Sequence, residues 1–164
     1  MKAPFSPKEL SALLEKTISD LKFKAQPELL YEPMQYILKL GGKRLRPLLV
    51  LMSYNLFKDD PEEIVLPALS VELFHNFTLI HDDIMDRADT RRGRATVHVR
   101  WDEPTAVLVG DLIFGLAYES LTASRPERLP ALLAVFNETV HALCAGQTLD
   151  MVFERRDAVS VQQY

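Results

Sequence analysis

Cysteine is nearly absent from this 164-residue chain: Cys144 stands alone, no internal disulfide can form, and a reducing, cytoplasmic setting is the expectation. Glycine is scarce at 6 residues, and no Asn-Gly or Asp-Gly pair signals a tight hairpin. There is no basic excess either. The 19 Lys and Arg face 23 Asp and Glu, a net charge of -4, which argues against a general nucleic-acid binder. No unbroken apolar run approaches the roughly 18 residues of a bilayer span, so no membrane span is expected. The opening MKAPFSPKEL turns polar too early for a secretory signal. What remains is a globular balance, 48% apolar and 26% charged, at a length that suits one domain.

The 10 prolines mostly sit where helices could begin. Ser6-Pro7 reads as a cap and first helical residue, followed by Leu10, Leu13, Leu14, Ile18 and Leu21 at helical spacing. A second helix runs from Pro27 to Leu40 and stops at Gly41-Gly42. A third begins near Pro47 with LLVLMSYNLF, apolar on nearly every side and expected to be buried. A long helical stretch spans Pro61 to Asp86, with Pro67 beginning or bending it. Then comes a break, RADTRRGRATVHVRW, carrying five arginines before Trp101. Helical pattern resumes from Pro104 to about Thr122 and from Pro126 to about Arg155. The chain reads as all-α with one basic loop in the middle.

The chemistry gathers around that loop. In His81-Asp82-Asp83-Ile84-Met85-Asp86, Asp82 and Asp86 share a helix face with Asp83 beside them. Stacked carboxylates repel, and their oxygens suit a hard cation such as magnesium, which completes its shell with water and phosphates. A solvated acidic helix end accounts for the pattern equally simply, and on this motif alone it takes precedence. Gly41-Gly42-Lys43-Arg44-Leu45-Arg46-Pro47 offers free backbone and the cations Lys43 and Arg46 beside a helix start, which makes an anion site. The plainer alternative is a helix cap followed by solubilising charge, and the pattern is not a P-loop. Arg91-Arg92-Gly93-Arg94 is either a solvated basic run or the guanidinium partners of a metal-bound phosphate. His75 lies two turns before Asp82 on nearly the same face and suits a core or a site role alike. His81, His98 and His141 read as structural.

Together these segments resemble the trans-isoprenyl diphosphate synthases, or polyprenyl synthetases, over nearly the whole chain. The resemblance rests on GGKRLRP at 41–47, ELFHNFTLIHDDIMD at 72–86, RRG at 91–93, VGDLIF at 109–114 and GQTLD at 146–150, all in order. It implies an all-α isoprenoid-synthase helical bundle around a central cavity, usually a homodimer. The implied reaction is a magnesium-dependent prenyl transfer, in which an allylic diphosphate (dimethylallyl, geranyl or farnesyl) joins isopentenyl diphosphate and pyrophosphate leaves. By the same resemblance Asp82 and Asp86 hold magnesium, with Asp83 supporting the catalytic cluster. Lys43, Arg46, His75 and Arg92 hold isopentenyl diphosphate, and Arg91 grips the allylic diphosphate. Phe77, Thr78 and Phe74 limit chain length to about fifteen to twenty carbons, and Gln147 and Asp150 border the cavity.

The sequence departs from that family at one place. A second aspartate-rich motif and the Lys-Thr pair before it have no counterpart, and Asp59-Asp60 reads as a helix-start turn. The expectation is therefore an N-terminal portion of a single isoprenoid-synthase domain, over 1–164, with little or no synthase activity alone. Apolar faces such as Leu112, Leu116, Leu132 and Val135 are then expected to lie uncovered. A non-catalytic or incomplete subunit of a heteromeric synthase is the alternative. A terpene cyclase fits less well, having no use for an isopentenyl diphosphate site.

Overall fold

The computed structural model describes residues 5–163; residues 1–4, within the opening read as too polar for a signal, and Tyr164, within the expected 1–164 domain, lie outside the described residues. The chain divides into two compact units, Met1–Ser124 and Arg125–Tyr164.

In the first unit, α1 (Pro7–Ser19) starts where Ser6-Pro7 predicts. The Ser6 hydroxyl accepts from the Glu9 amide at 3.3 Å, and the Glu9 carboxylate accepts from the Ser6 amide at 2.8 Å. Two donors without helical partners are thereby paired. Leu10 and Leu14 of α1 are buried in one cluster with Leu51 of α3 (Leu45–Asn55) and with Val65 and Ala68 of α4 (Val65–Met85). Between them α2 (Glu28–Lys39) stops as expected, the chain leaving through Gly41 at φ 71°. Asp59-Asp60 precede a single 3-10 turn at Pro61–Glu63, as read, with Asp60 accepting from the Tyr54 hydroxyl at 3.0 Å. Pro67 takes the third position of α4, where its missing N–H has no helical acceptor to forgo.

The centre of this unit is the packing of α4 on α6 (Glu103–Thr122), with α2 against α6, and α1 and α3 against α4. Leu69, Leu73, Ile80, Val109, Ile113 and Ala117 are buried there almost completely. The C-terminal end of α4, which carries the aspartates, is thus held by a dry helix pair.

Two expectations need correction. The third helix is not buried all round: Pro47 and Leu51 are, but Leu45, Leu49 and Met52 are exposed, as are Leu56 and Phe57 after it. Among the described residues α3 packs against α1 and α4, so apolar composition outruns the surface that meets it. Second, the basic loop contains a hairpin, β1 (Thr90–Arg91) paired antiparallel with β2 (Arg94–Ala95), followed by α5 (Val97–Arg100). Its two turn residues, Arg92 at φ 53° and Gly93 at φ 74°, are both left-handed, the geometry that Asn-Gly usually supplies. By length and composition alone, α6 and α7 (Leu129–Phe153) are each long and apolar enough to cross a membrane, at a mean hydropathy of 1.3. In α6 that apolar character serves the contact with α4.

The second unit is α7 and the residues around it. Val135 is 66% exposed, as the uncovered-face expectation has it, and Leu143, Leu149 and Met151 are exposed too. Leu132 is half-buried, as are Leu112 and Leu116 of α6 in the first unit; Leu116 shares a pocket with Leu69 and Leu73 of α4.

Candidate active site

Two clusters stand on α4, two turns apart. At its C-terminal end, Asp83 is buried while Asp82 is half-buried and Asp86, the capping residue, is exposed. Acids here oppose the helix dipole. The chain then turns left-handed at Arg87 (φ 52°), and the hairpin carries Arg91 back onto Asp83. The Arg91 Nε donates to both carboxylate oxygens of Asp83, at 2.9 and 2.8 Å, and Nη2 donates to Oδ1 at 2.7 Å. That fork strengthens Arg91's hold on its proton. The hairpin base is fastened separately: the buried Thr96 hydroxyl donates to the Ala88 carbonyl at 2.8 Å, and the Tyr36 hydroxyl of α2 donates to the Ala95 carbonyl at 2.7 Å.

Asp83 is thus spent on Arg91, leaving Asp82 and Asp86 as the carboxylates without such a partner. Burial, and then the charge of Asp86, push the Asp82 carboxyl above its ordinary range. Among the described residues no three His, Cys, Asp or Glu side chains are assembled as a metal site. Two oxygen-donor residues one turn apart, repelling each other, fit a hard cation that takes its remaining ligands from water and phosphate. Magnesium fits this pair.

The second cluster is an open pocket of about 430 Å³. Lys43, Arg46, His75 and Arg92, drawn from three separate segments, all line it, together with Gly42, Arg44 and Glu72. Arg46 Nη1 lies 3.3 Å from His75 Nε2; since guanidinium only donates, that nitrogen accepts. Burial, then the positive charge of Arg46, lowers the His75 pKa, so the ring stays neutral at pH 7. Arg92 enters from the hairpin tip. A Cβ on Gly42, at φ 154°, would stand 2.9 Å from its guanidinium carbon, so a side chain there would strain the backbone and displace the guanidinium. Burial and the charge of Arg44 lower the Arg92 pKa, the mark of crowded cations. No side chain caps the N-terminus of α3, which leaves its first amides facing the same region.

Between the clusters, aromatic rings from α4 and α6 interlock. Phe77 stacks on Phe114 at 4.8 Å, Phe74 is tilted against both at 5.7 and 5.9 Å, and Tyr118 meets Phe114 edge-on at 5.1 Å. Thr78 is buried with its hydroxyl donating to the His75 carbonyl at 2.9 Å. His81 rests against Gly110, where a Cβ would fall 2.3 Å from its Nε2, so a larger residue there would displace the ring. Gln147, half-buried, and Asp150, exposed, sit one turn apart on α7 in the second unit.

Sequence reasoning missed Arg44 and Glu72. Arg44 caps α3 in the left-handed region (φ 47°), is 6% exposed and pairs with Glu72, itself 3% exposed. A signal existed: Glu72 is a lone acid within the apolar run LPALSVELF, and a charge buried on a helix needs a partner.

The sequence profile of the polyprenyl synthetase family matches residues 27–164. The chain is 40% identical over 159 residues to a geranylgeranyl diphosphate synthase of Methanosarcina mazei, covering 96% of this chain and 49% of that protein. It is 34% identical to a geranylfarnesyl diphosphate synthase of Natronomonas pharaonis, covering 95% and 51%. A crystal structure of a geranylgeranyl pyrophosphate synthase superposes with a TM-score of 0.93 at 43% identity, covering 98% of this chain and 49% of the other. That of the Pyrococcus horikoshii synthetase gives 0.89 at 39%, covering 96% and 49%. The chain spans about half the length of the curated relatives it matches. With the profile running through both clusters, the chain belongs to the polyprenyl synthetase family.

Proposed function

We propose that this chain carries the diphosphate-binding half of a trans-prenyltransferase, which condenses isopentenyl diphosphate with an allylic diphosphate. The observation that carries this is the pairing of sites on one helix. Lys43, Arg46, His75 and Arg92 form an anion pocket, and Asp82 and Asp86 present carboxylates about 10 Å further along α4. A terpene cyclase needs the carboxylates and has no second diphosphate to place. The pocket therefore supports the synthase reading.

Lys43, Arg46 and Arg92 supply charge to the isopentenyl diphosphate, and the neutral His75 keeps its Nδ1 free to donate. Asp82 and Asp86 would hold magnesium, which when bound draws off charge from a leaving diphosphate. In the proposed reaction the allylic carbon–oxygen bond breaks and that carbon bonds to the terminal alkene carbon of isopentenyl diphosphate. The tertiary cation left on the next carbon is quenched as the methylene on its diphosphate side gives a proton to the departing pyrophosphate. The half-buried Phe77 and Phe114 rings offer the prenyl tail an apolar surface.

For an enzyme carrying both halves, pyrophosphate release that requires both diphosphates is the expected result, while this chain alone is expected to release little or none. Release from the allylic diphosphate alone would mark a cyclase, and release only on mixing with a second chain would mark a subunit. Failure of isopentenyl diphosphate to bind would remove the proposal. For product length, the geranylgeranyl and farnesyl names among the relatives and the Phe77–Phe114 stack support fifteen to twenty carbons, beside the longer product that the geranylfarnesyl relative's name gives. In an enzyme carrying both halves, Phe77→Ala is expected to lengthen the product, read by chromatography of the dephosphorylated prenols. An unchanged spectrum would remove Phe77 as the floor.

A further inference from the structure

One guanidinium at the edge of the pocket does not face out of it. Along Lys43-Arg44-Leu45-Arg46, Arg44 alone is buried, and its three nitrogens reach three helices. Nη1 donates to Glu72 on α4, Nη2 to the Leu38 carbonyl near the end of α2 at 3.1 Å, and Nε to Glu15 on α1 at 3.3 Å. Its backbone is left-handed between Gly42 and α3, a conformation that arginine has no intrinsic reason to adopt. The side chain's partners hold it there. Glu72 also accepts from Asn76 Nδ2 at 3.1 Å, so the carboxylate is fixed from both sides.

The consequence lies one turn on. His75 follows Glu72 by three residues and meets Arg46, which follows Arg44 by two. The Arg44–Glu72 pair therefore sets the register of the Gly-Gly turn against α4, and with it the spacing of Lys43 and Arg46 from His75. Glu72 also lines the pocket, where an unpaired carboxylate would repel a diphosphate. We propose that Arg44 is the positioning residue of the isopentenyl diphosphate pocket: clamped on Glu72, it aligns Lys43 and Arg46 with His75 and masks the carboxylate facing the bound anion. This rests on the reading of the pocket given above.

The test is calorimetric titration of the 164-residue chain with isopentenyl diphosphate, and separately with dimethylallyl thiolodiphosphate plus magnesium as the probe of Asp82 and Asp86. Arg44→Met keeps the apolar stem and removes the charge. It is expected to weaken isopentenyl diphosphate about tenfold or more, leaving the thiolodiphosphate within about twofold of the parent. Adding Glu72→Gln is expected to return part of the loss, because the unmasked carboxylate is gone. Parental affinity in Arg44→Met, or equal losses for both ligands, would overturn the proposal. Should Arg44→Met not fold, Arg44→Lys decides: one ammonium cannot span three partners, so a several-fold selective loss is expected, and parental affinity overturns it. Absence of isopentenyl diphosphate binding by the parent chain would instead fell the reading of the pocket, and the proposal with it.

Discussion

Truncating Arg91 to Ala is expected to lower the stability of this chain by about 3 kcal/mol, the lower end of what breaking a buried ion pair costs. The Asp83 side chain is 2% exposed and all three of its hydrogen bonds to a side chain come from Arg91. Without that fork a carboxylate stays in a dry site with nothing to balance it. The lower end applies because the Arg91 side chain keeps 26% of its exposure, so water shares in the pair. Arg92→Ala is the control, since Arg92 is exposed and makes no such pair. It is expected to leave urea unfolding within about 0.5 kcal/mol of the parent. Equal midpoints for the parent and Arg91→Ala would show that Asp83 does not depend on Arg91. The consequence for function is direct: lost diphosphate affinity in Arg91→Ala reports a lost contact only if the fold is shown to be intact.

How much of this was legible beforehand depended on whether the signal was local. Ser6-Pro7, Gly41 and the position of Pro67 act through neighbouring backbone groups, and the structure places them as read. The convergence on one pocket was legible for a different reason. Lys43, Arg46, His75 and Arg92 come from three distant segments, and only the order of motifs along the chain tied them together. The Arg44–Glu72 pair was not read, although a lone acid in an apolar helix is a local anomaly, because its partner sat in a run already assigned to anion binding. The hairpin escaped because its turn uses Arg92-Gly93 where the rule expects Asn-Gly. Arg92 adopts that geometry with its guanidinium lodged against Gly42, a contact no local pattern contains. The exposed face of α3 escaped because composition cannot say which sides of an apolar helix meet a neighbour.

Asp82→Ala is expected to separate stability from function, moving them in opposite directions. In the folded chain burial and the charge of Asp86 raise the Asp82 pKa, so folding disfavours its ionised form. A carboxyl with a raised folded pKa adds stability below its unfolded value, and that contribution is lost as pH rises through the folded value. At pH 7, above the unfolded value, the raised folded pKa counts against folding. Removing the carboxylate relieves Asp86, so thermal unfolding of Asp82→Ala at pH 7 is expected at or above the parental midpoint. The same change takes away one of two carboxylates able to share a cation, and the magnesium-dependent part of diphosphate affinity is expected to vanish. Strain kept at a site against the interest of the fold is what a binding function requires. Inorganic pyrophosphate titrated with and without magnesium, beside a thermal melt of each protein, reads both quantities. Full magnesium-dependent affinity in the variant would remove Asp82 from the metal site. A lowered midpoint would show that the carboxylate serves the fold, and the case for a cation held between Asp82 and Asp86 would lose its physical basis.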